Sequence, residues 1–272
     1  MRRSRGSALW RASTWRGRLG RRGSAAAASL PGLPASPRPR LVDLSHTIEH
    51  GMTTYPGLPG PLICDYLSRE ASRAHYAPGV EFQIGKIEMV ANTGTYLDSP
   101  FHRYAEGKDL AQLALESLAD LDAVVVRVLH ADGRAIAQSA FQDLDLEGKA
   151  VLVQTGWDVH WRTERYLSGH PFLTGDAAEY LVNKGVALVG IDSLNIDDTL
   201  NPARPVHSIL LGAEVPIVEH LCNLSRLPEQ DFRFFAVPPR VNGVGTWPVR
   251  AFGHVLPPNH SLGLSRRSPS LG

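Results

Sequence analysis

Two cysteines, Cys64 and Cys222, are all that 272 residues contain, too few for a disulfide framework or a zinc knuckle and compatible with a reducing compartment. No apolar run approaches the length of about 18 residues that crosses a bilayer as a helix, which excludes a membrane-spanning helix. Acids are missing from residues 1–40, where ten arginines stand without Asp, Glu or Lys; the first acid is Asp43. The whole chain has a formal net charge of +1, so setting aside that +10 leaves −9 for residues 41–272. An acidic body of this kind argues against nucleic acid as its main partner.

The lead also lacks the apolar periodicity needed to bury a face, so residues 1–40 are expected to be a disordered Arg-rich extension. The same composition suits an organelle transit peptide, or upstream sequence read through before a true start near Leu41. A secretory signal does not fit, because Leu9-Trp10 and Leu19 never join into an apolar segment. A cytoplasmic location is expected, with organelle import if the lead is a genuine transit peptide. Residues 257–272, rich in Ser, Pro and Arg, are expected to be a flexible tail. Between them, residues 41–256 carry neither repeat nor internal linker and are expected to form one domain.

Within that domain, EFQIGKIEMVA (81–91) alternates like a strand, and AVVVRVL (123–129), AVLVQ (150–154) and VALVGI (186–191) are runs of the buried-strand type. A helix is predicted over 174–184, with Thr174 as N-cap, Asp176 in the first turn and Gly185 as the stop. Helices are also predicted over 110–118 and 215–224, and a late strand over 232–237. Strands alternating with helices give an α/β domain with a mixed sheet.

The segment NTGTYLDSPFH (92–102) follows a predicted strand and packs Gly94, Asp98, Pro100 and His102 into one loop. A carboxylate four residues before an imidazole can converge with it on one point, Asp98 as an oxygen ligand for a divalent cation and His102 as a nitrogen ligand or general base. An Asx-turn at Asp98 with His102 on the surface stands beside that reading. His207, ahead of SILLG, reads equally as a strand-edge residue. Glu214 is expected to be exposed, and His46 and His50 flank a turn, at least one of them at the surface. His220 is left out, because on a helix it points away from its neighbour Glu219. Tyr55, Phe101 and Trp157 are candidates to line a substrate pocket. Trp157 follows a strand's carboxyl end, where α/β domains place ligand contacts, although a buried core Trp is the alternative.

The 92–102 stretch resembles the signature of the cyclase-like metal-dependent hydrolases, which include bacterial kynurenine formamidase and isatin hydrolase. Their pattern is His-x-Gly-Thr-His-x-Asp-x-Pro-x-His, against Asn92-Thr93-Gly94-Thr95-Tyr96-Leu97-Asp98-Ser99-Pro100-Phe101-His102 here. VDLSHTIEHGMTTYPG (42–57), VLVQTGW (151–157), GIDSLNID (190–197), HSILLGAEVPIVE (207–219) and FFAVPPRVNGVGTWPVRAF (234–252) resemble the family's other blocks in order. The resemblance implies a single cyclase-like domain with a mixed β-sheet or barrel core flanked by helices, and a homo-oligomer. It also implies that Asp98, His207 and Glu219, the last two 12 residues apart, hold metal, and that His102 performs acid–base catalysis. Asn92 and Tyr96 stand where the family has two metal-binding histidines.

Asn offers only a carbonyl oxygen, and a phenol ligates only after losing its proton, so loss of two imidazoles removes one of the family's metal sites. The remaining Asp98, His207 and Glu219 are expected to hold one divalent ion, zinc or manganese; two ions or none are the alternatives. Asn92 is a weak contact to metal or substrate, and Tyr96 a donor to a developing oxyanion. The implied reaction is hydrolysis of an amide, formamide or lactam C–N bond in a small molecule. N-formylkynurenine, from tryptophan catabolism, is the family's best-known substrate. The alternatives are a catalytically altered relative that binds a small aromatic or acidic ligand, and a metal-independent lyase using His102 and Tyr96.

Overall fold

β-branched runs need cover on both faces, and the sheet supplies it. The computed structural model describes residues 40–129 and 133–256. The extension expected over 1–40, apart from Arg40, and the tail expected over 257–272 lie outside the described residues. Arg40–Asp43 forms β1, Leu62–Leu67 β2, Arg69–Ser72 the one-turn helix α1, Ile84–Glu88 β3 and Tyr96–Asp98 β4. Leu121–Arg127 (β5), Ala135–Ile136 (β6), Ala150–Gln154 (β7) and Phe172–Leu173 (β8) precede helix α2, Gly175–Asn183. Then come Leu188–Ile191 (β9), helix α3 (Pro205–Gly212), Ile217–Glu219 (β10), Phe232–Phe235 (β11), Thr246–Pro248 (β12) and Phe252–Val255 (β13).

Nine strands make one mixed sheet in the order β1-β13-β11-β5-β7-β9-β10-β4-β12. The central β5, β7, β9 and β10 run parallel, while β4 and β12 add antiparallel at one end. Alternation along β5 sends Ala123 and Val125 to one core and Val124 and Val126 to the other. The second core is closed by α2 and α3 through Ala177, Leu181, Val206 and Leu210. The first is closed by residues outside the long helices, among them Leu110, Leu118, Leu224 and Leu227. The result is the expected α/β domain, a mixed sheet with the helices α2 and α3 packed on one face.

Two helix predictions fail for local reasons. Over 110–118 only Leu115–Ser117 makes a 3-10 turn: Asp109 accepts the N–H groups of Ala111 and Gln112 as an N-cap would, but Ala114 is extended (φ −73°, ψ 142°) and interrupts the turn that follows. Over 215–224 the chain forms β10 instead. Glu214 takes a left-handed conformation and Pro216 cannot extend α3, so Ile217 and Val218 join the sheet beside β9. His207 is accordingly a helix residue, and His220 follows a strand. β3 does form, but in a separate hairpin with β2 that leaves Tyr66, Ile84 and Ile87 exposed.

Candidate metal centre

Register at the sheet's end gathers the site. β4 lies between β10 and β12, so Tyr96 faces Glu219 and Asp98 faces Thr246 across neighbouring strands. With a two-residue period, Tyr96 and Asp98 share one face of the sheet. The chain then turns through Pro100–His102, a single 3-10 turn, and His102 comes back over Asp98. Thr246 Oγ1 donates to Asp98 Oδ1 and lies 2.8 Å from His102 Nδ1. The hydroxyl has one proton and gives it to the carboxylate, so His102 Nδ1 is the donor to Thr246 and Nε2 keeps its lone pair.

His207 enters from α3. Asp197 receives the N–H groups of Val206 (2.8 Å) and His207 (3.0 Å) and also His207 Nδ1–H at 2.7 Å. This fixes the ring with Nε2 facing Glu219 Oε1 at 3.6 Å and Asp98 Oδ2 at 3.8 Å. A carboxylate that holds one imidazole nitrogen while the other faces a centre is the usual support for a metal-ligating histidine. Glu219 is buried; its Oε1 accepts from Ile196 N–H at 2.7 Å and its Oε2 from Tyr96 OH at 2.6 Å and Asn195 Nδ2 at 3.3 Å.

The electrostatics concentrate charge at one point. Burial raises the Glu219 carboxyl to about 7, against the pull of His207. Burial also opposes a charge on His207, but Asp197, Asp98 and Glu219 outweigh it and hold its pKa up at about 10. Asp98 is fully buried, yet His102 and His207 keep it below the usual carboxylate range. Its Oδ2 has no hydrogen-bond partner, an expensive state for a buried charged oxygen. Ligand atoms from Asp98, His102 and His207 lie within 4.8 Å of one another. One carboxylate oxygen without a partner and two imidazoles at this spacing, with Glu219 alongside, fit a divalent cation.

These side chains open on a cavity of about 490 Å³ whose lining includes Tyr55, Asn92, Tyr96, His102, His207 and Glu219. Phe101 and Trp157 are not among the lining residues. Trp157 follows β7 as expected, but its Nε1–H is turned to the carbonyl of Tyr166 at 3.1 Å. Glu214 is exposed beside Lys108, and His50 is exposed. His46 is stacked on Trp161 at 4.0 Å, and burial lowers its pKa to about 4.

Sequence reasoning missed Asp197, Thr246, Asn195 and His220. Asp197 precedes His207 by ten residues, a spacing with no meaning until the loop between them folds back. His220 is fully buried, 2.8 Å from Tyr166 OH and 3.4 Å from Tyr96 OH. Burial lowers its pKa to about 3, so it is neutral and braces the Tyr96 hydroxyl from behind.

The cyclase family, described as "Putative cyclase", matches residues 42–198, more than half of the chain. Kynurenine formamidase of Geobacillus thermodenitrificans (strain NG80-2) is 30% identical over 215 residues, which cover 77% of this chain and 95% of that protein. A solved structure described as a potential metal-dependent hydrolase with cyclase activity is 26% identical with a TM-score of 0.66, covering 81% of this chain and all of the other. Isatin hydrolase A from Labrenzia aggregata, at 20% identity and a TM-score of 0.69 over 80% of this chain and 94% of its own, has the same fold. Sequence and fold agree: the chain belongs to the cyclase-like family of metal-dependent hydrolases, which act on C–N bonds other than peptide bonds.

Proposed function

We propose that this chain is an arylformamidase-like enzyme that hydrolyses a formamide, amide or lactam C–N bond with one divalent ion, zinc or manganese. The observation that carries the reading is the partnerless Oδ2 of Asp98 facing the Nε2 of His207 at 3.8 Å, beside the cavity. Asp98, His207 and Glu219 would hold the ion, and Tyr96, whose hydroxyl is bonded to Glu219, supplies no imidazole for a second one. Bound there, the ion would polarise a carbonyl oxygen and lower the pKa of water.

The chain's own residues do the rest. His102, about one-third exposed and with Nε2 not engaged by Thr246, accepts a proton as water attacks and returns it to the leaving nitrogen. Thr246 fixes the ring for that exchange. Asp197 takes the Nδ1–H of His207 and so leaves Nε2 as the nitrogen that would give up its proton to the ion. The Tyr96 hydroxyl, committed to Glu219 at 2.6 Å, holds that carboxylate in place rather than pointing free into the cavity. This alters the oxyanion role expected of it to one of positioning.

A small molecule is the substrate this cavity suits, since volumes of about 300–1,000 Å³ are usual for such sites. Among the described residues no helix is long and apolar enough to cross a membrane. A homo-oligomer is supported by the β2–β3 hairpin, whose Tyr66, Ile84 and Ile87 are left exposed by the other described residues. Assay of the purified protein on N-formylkynurenine and on isatin tests the reaction class. Turnover of one of them that stops on chelation and returns with zinc or manganese is the expected outcome. Turnover unaffected by chelation would favour the metal-independent reading.

A further inference from the structure

Two arginines stand in the wall of the same cavity, and neither has a carboxylate partner among the described residues. Arg204 Nη1 donates to Asp198 O at 3.2 Å and Asn195 Oδ1 at 3.4 Å, and Nη2 to Tyr55 OH at 3.3 Å. All three acceptors are neutral and the distances are long for N–H···O bonds. The carboxylate of Asp198 is turned instead to Arg134, at 3.7 Å, and to Leu200 N–H, at 3.1 Å. Arg103, exposed at the rim, donates Nε–H to Ser208 Oγ at 3.1 Å. Among the described residues Glu219 is the only carboxylate-bearing one of the lining, and its oxygens are engaged by Ile196 and Tyr96.

The backbone is arranged to put Arg204 there. Its φ of 47° and ψ of 58° place a non-glycine residue in the left-handed region, directly before Pro205. A residue preceding proline favours extended backbone, so this conformation works against two preferences at once. Strain of this kind persists where the surroundings enforce it, and it points to a use for the side chain. Guanidinium cannot lose its proton at any relevant pH, and its planar fork matches a carboxylate. Asn195 also sets the range: its Oδ1 accepts from Arg204 while its Nδ2 donates to Glu219. One amide side chain therefore separates the guanidinium from the proposed metal ligands.

We propose that the substrate carries a carboxylate close to the bond that is cut, and that Arg204, with Arg103 at the rim, holds that carboxylate. This rests on the reading of the cavity as the site of C–N hydrolysis and adds the charge class of what enters it. Neither arginine touches the reacting atoms, so both determine specificity by binding.

The test uses a matched pair on the metal-loaded protein, 2-formamidobenzoate against formanilide, and reads the ratio of their kcat/KM values. Arg204→Gln should lower the acid-to-neutral ratio roughly tenfold or more, the scale of a charge-assisted bidentate contact. Arg103→Gln, at an exposed position that folding tolerates, should lower it by a smaller factor. An unchanged ratio in both variants, including a proportional fall on both substrates, would overturn the proposal. If the wild type turns over neither formamide, calorimetry with 2-aminobenzoate and 2-aminobenzamide decides instead. Selective loss of the acid's affinity in Arg204→Gln supports the arginine site even with the hydrolase reading lost. Acid binding that ignores the substitution, or that is absent from the wild type, overturns it.

Discussion

His102→Ala lowers kcat by about 10² to 10⁴, the usual contribution of a positioned acid–base group, while the protein keeps its metal. The separation of the two readouts follows from where the ring sits. His102 is on a 3-10 turn, its side chain about one-third exposed toward the cavity. Asp98 and His207 are buried and fixed by Thr246 and Asp197 respectively. His102 Nδ1 is engaged by Thr246, so Nε2 alone remains for proton transfer. The contrast is sharp because His102 also falls within 4.8 Å of the other two ligand atoms. Metal analysis beside the rate measurement distinguishes the roles. Loss of bound metal in parallel with rate would make His102 a ligand instead of the proton acceptor.

Gly245→Ala should destabilise the domain by about 3 kcal/mol, the upper part of the range for overpacking a filled interior. A Cβ at residue 245 would collide with the backbone N of His102 and stand 2.6 Å from its Cα and 2.9 Å from the carbonyl carbon of Phe101. These are backbone atoms of the turn that carries His102, so no side-chain rotation relieves the contact. Ser99 N–H also donates to Gly245 O at 2.7 Å, tying the same two segments together. Relief requires β12 and the 99–102 turn to part, which breaks that bond and moves Thr246 off Asp98. The fall in Tm should be roughly 10 °C for a domain of this size, and the residual folded protein should lose activity beyond what its folded fraction explains. A Tm within about 2 °C of the wild type would contradict the close approach described here.

Fold class was readable from the chain because the parallel strands are buried on both faces. That burial leaves short runs without a polar side chain, rich in Val, at 123–126, 150–153 and 188–191 that polar loops cannot imitate. Helix α2 was readable for a similar reason, with Asp176 at its start and Gly185 at its end. The segment after α3 was not: VPIVE has too few residues to show a period, and its conformation is set by β4 and β9 on either side. Asp98, His102, His207 and Glu219 could be proposed because a family pattern links positions that local rules leave unrelated. Their supports could not. Asp197, Thr246 and Asn195 are unremarkable polar residues in sequence, and their meaning is created by register and loop closure. Trp157 shows the opposite case: correctly placed after a strand, it commits its Nε1–H to the Tyr166 carbonyl and is not among the cavity-lining residues.

The central claim is that one divalent ion sits between Asp98, His207 and Glu219. Metal content of the purified wild-type protein against His207→Ala tests it most directly. About one equivalent of zinc or manganese is expected in the wild type, with near-complete loss in a variant that still folds, because among the described residues no other imidazole faces both carboxylates with its second nitrogen braced by Asp197. A wild-type protein without metal, or a His207→Ala protein that keeps a full equivalent, would contradict it.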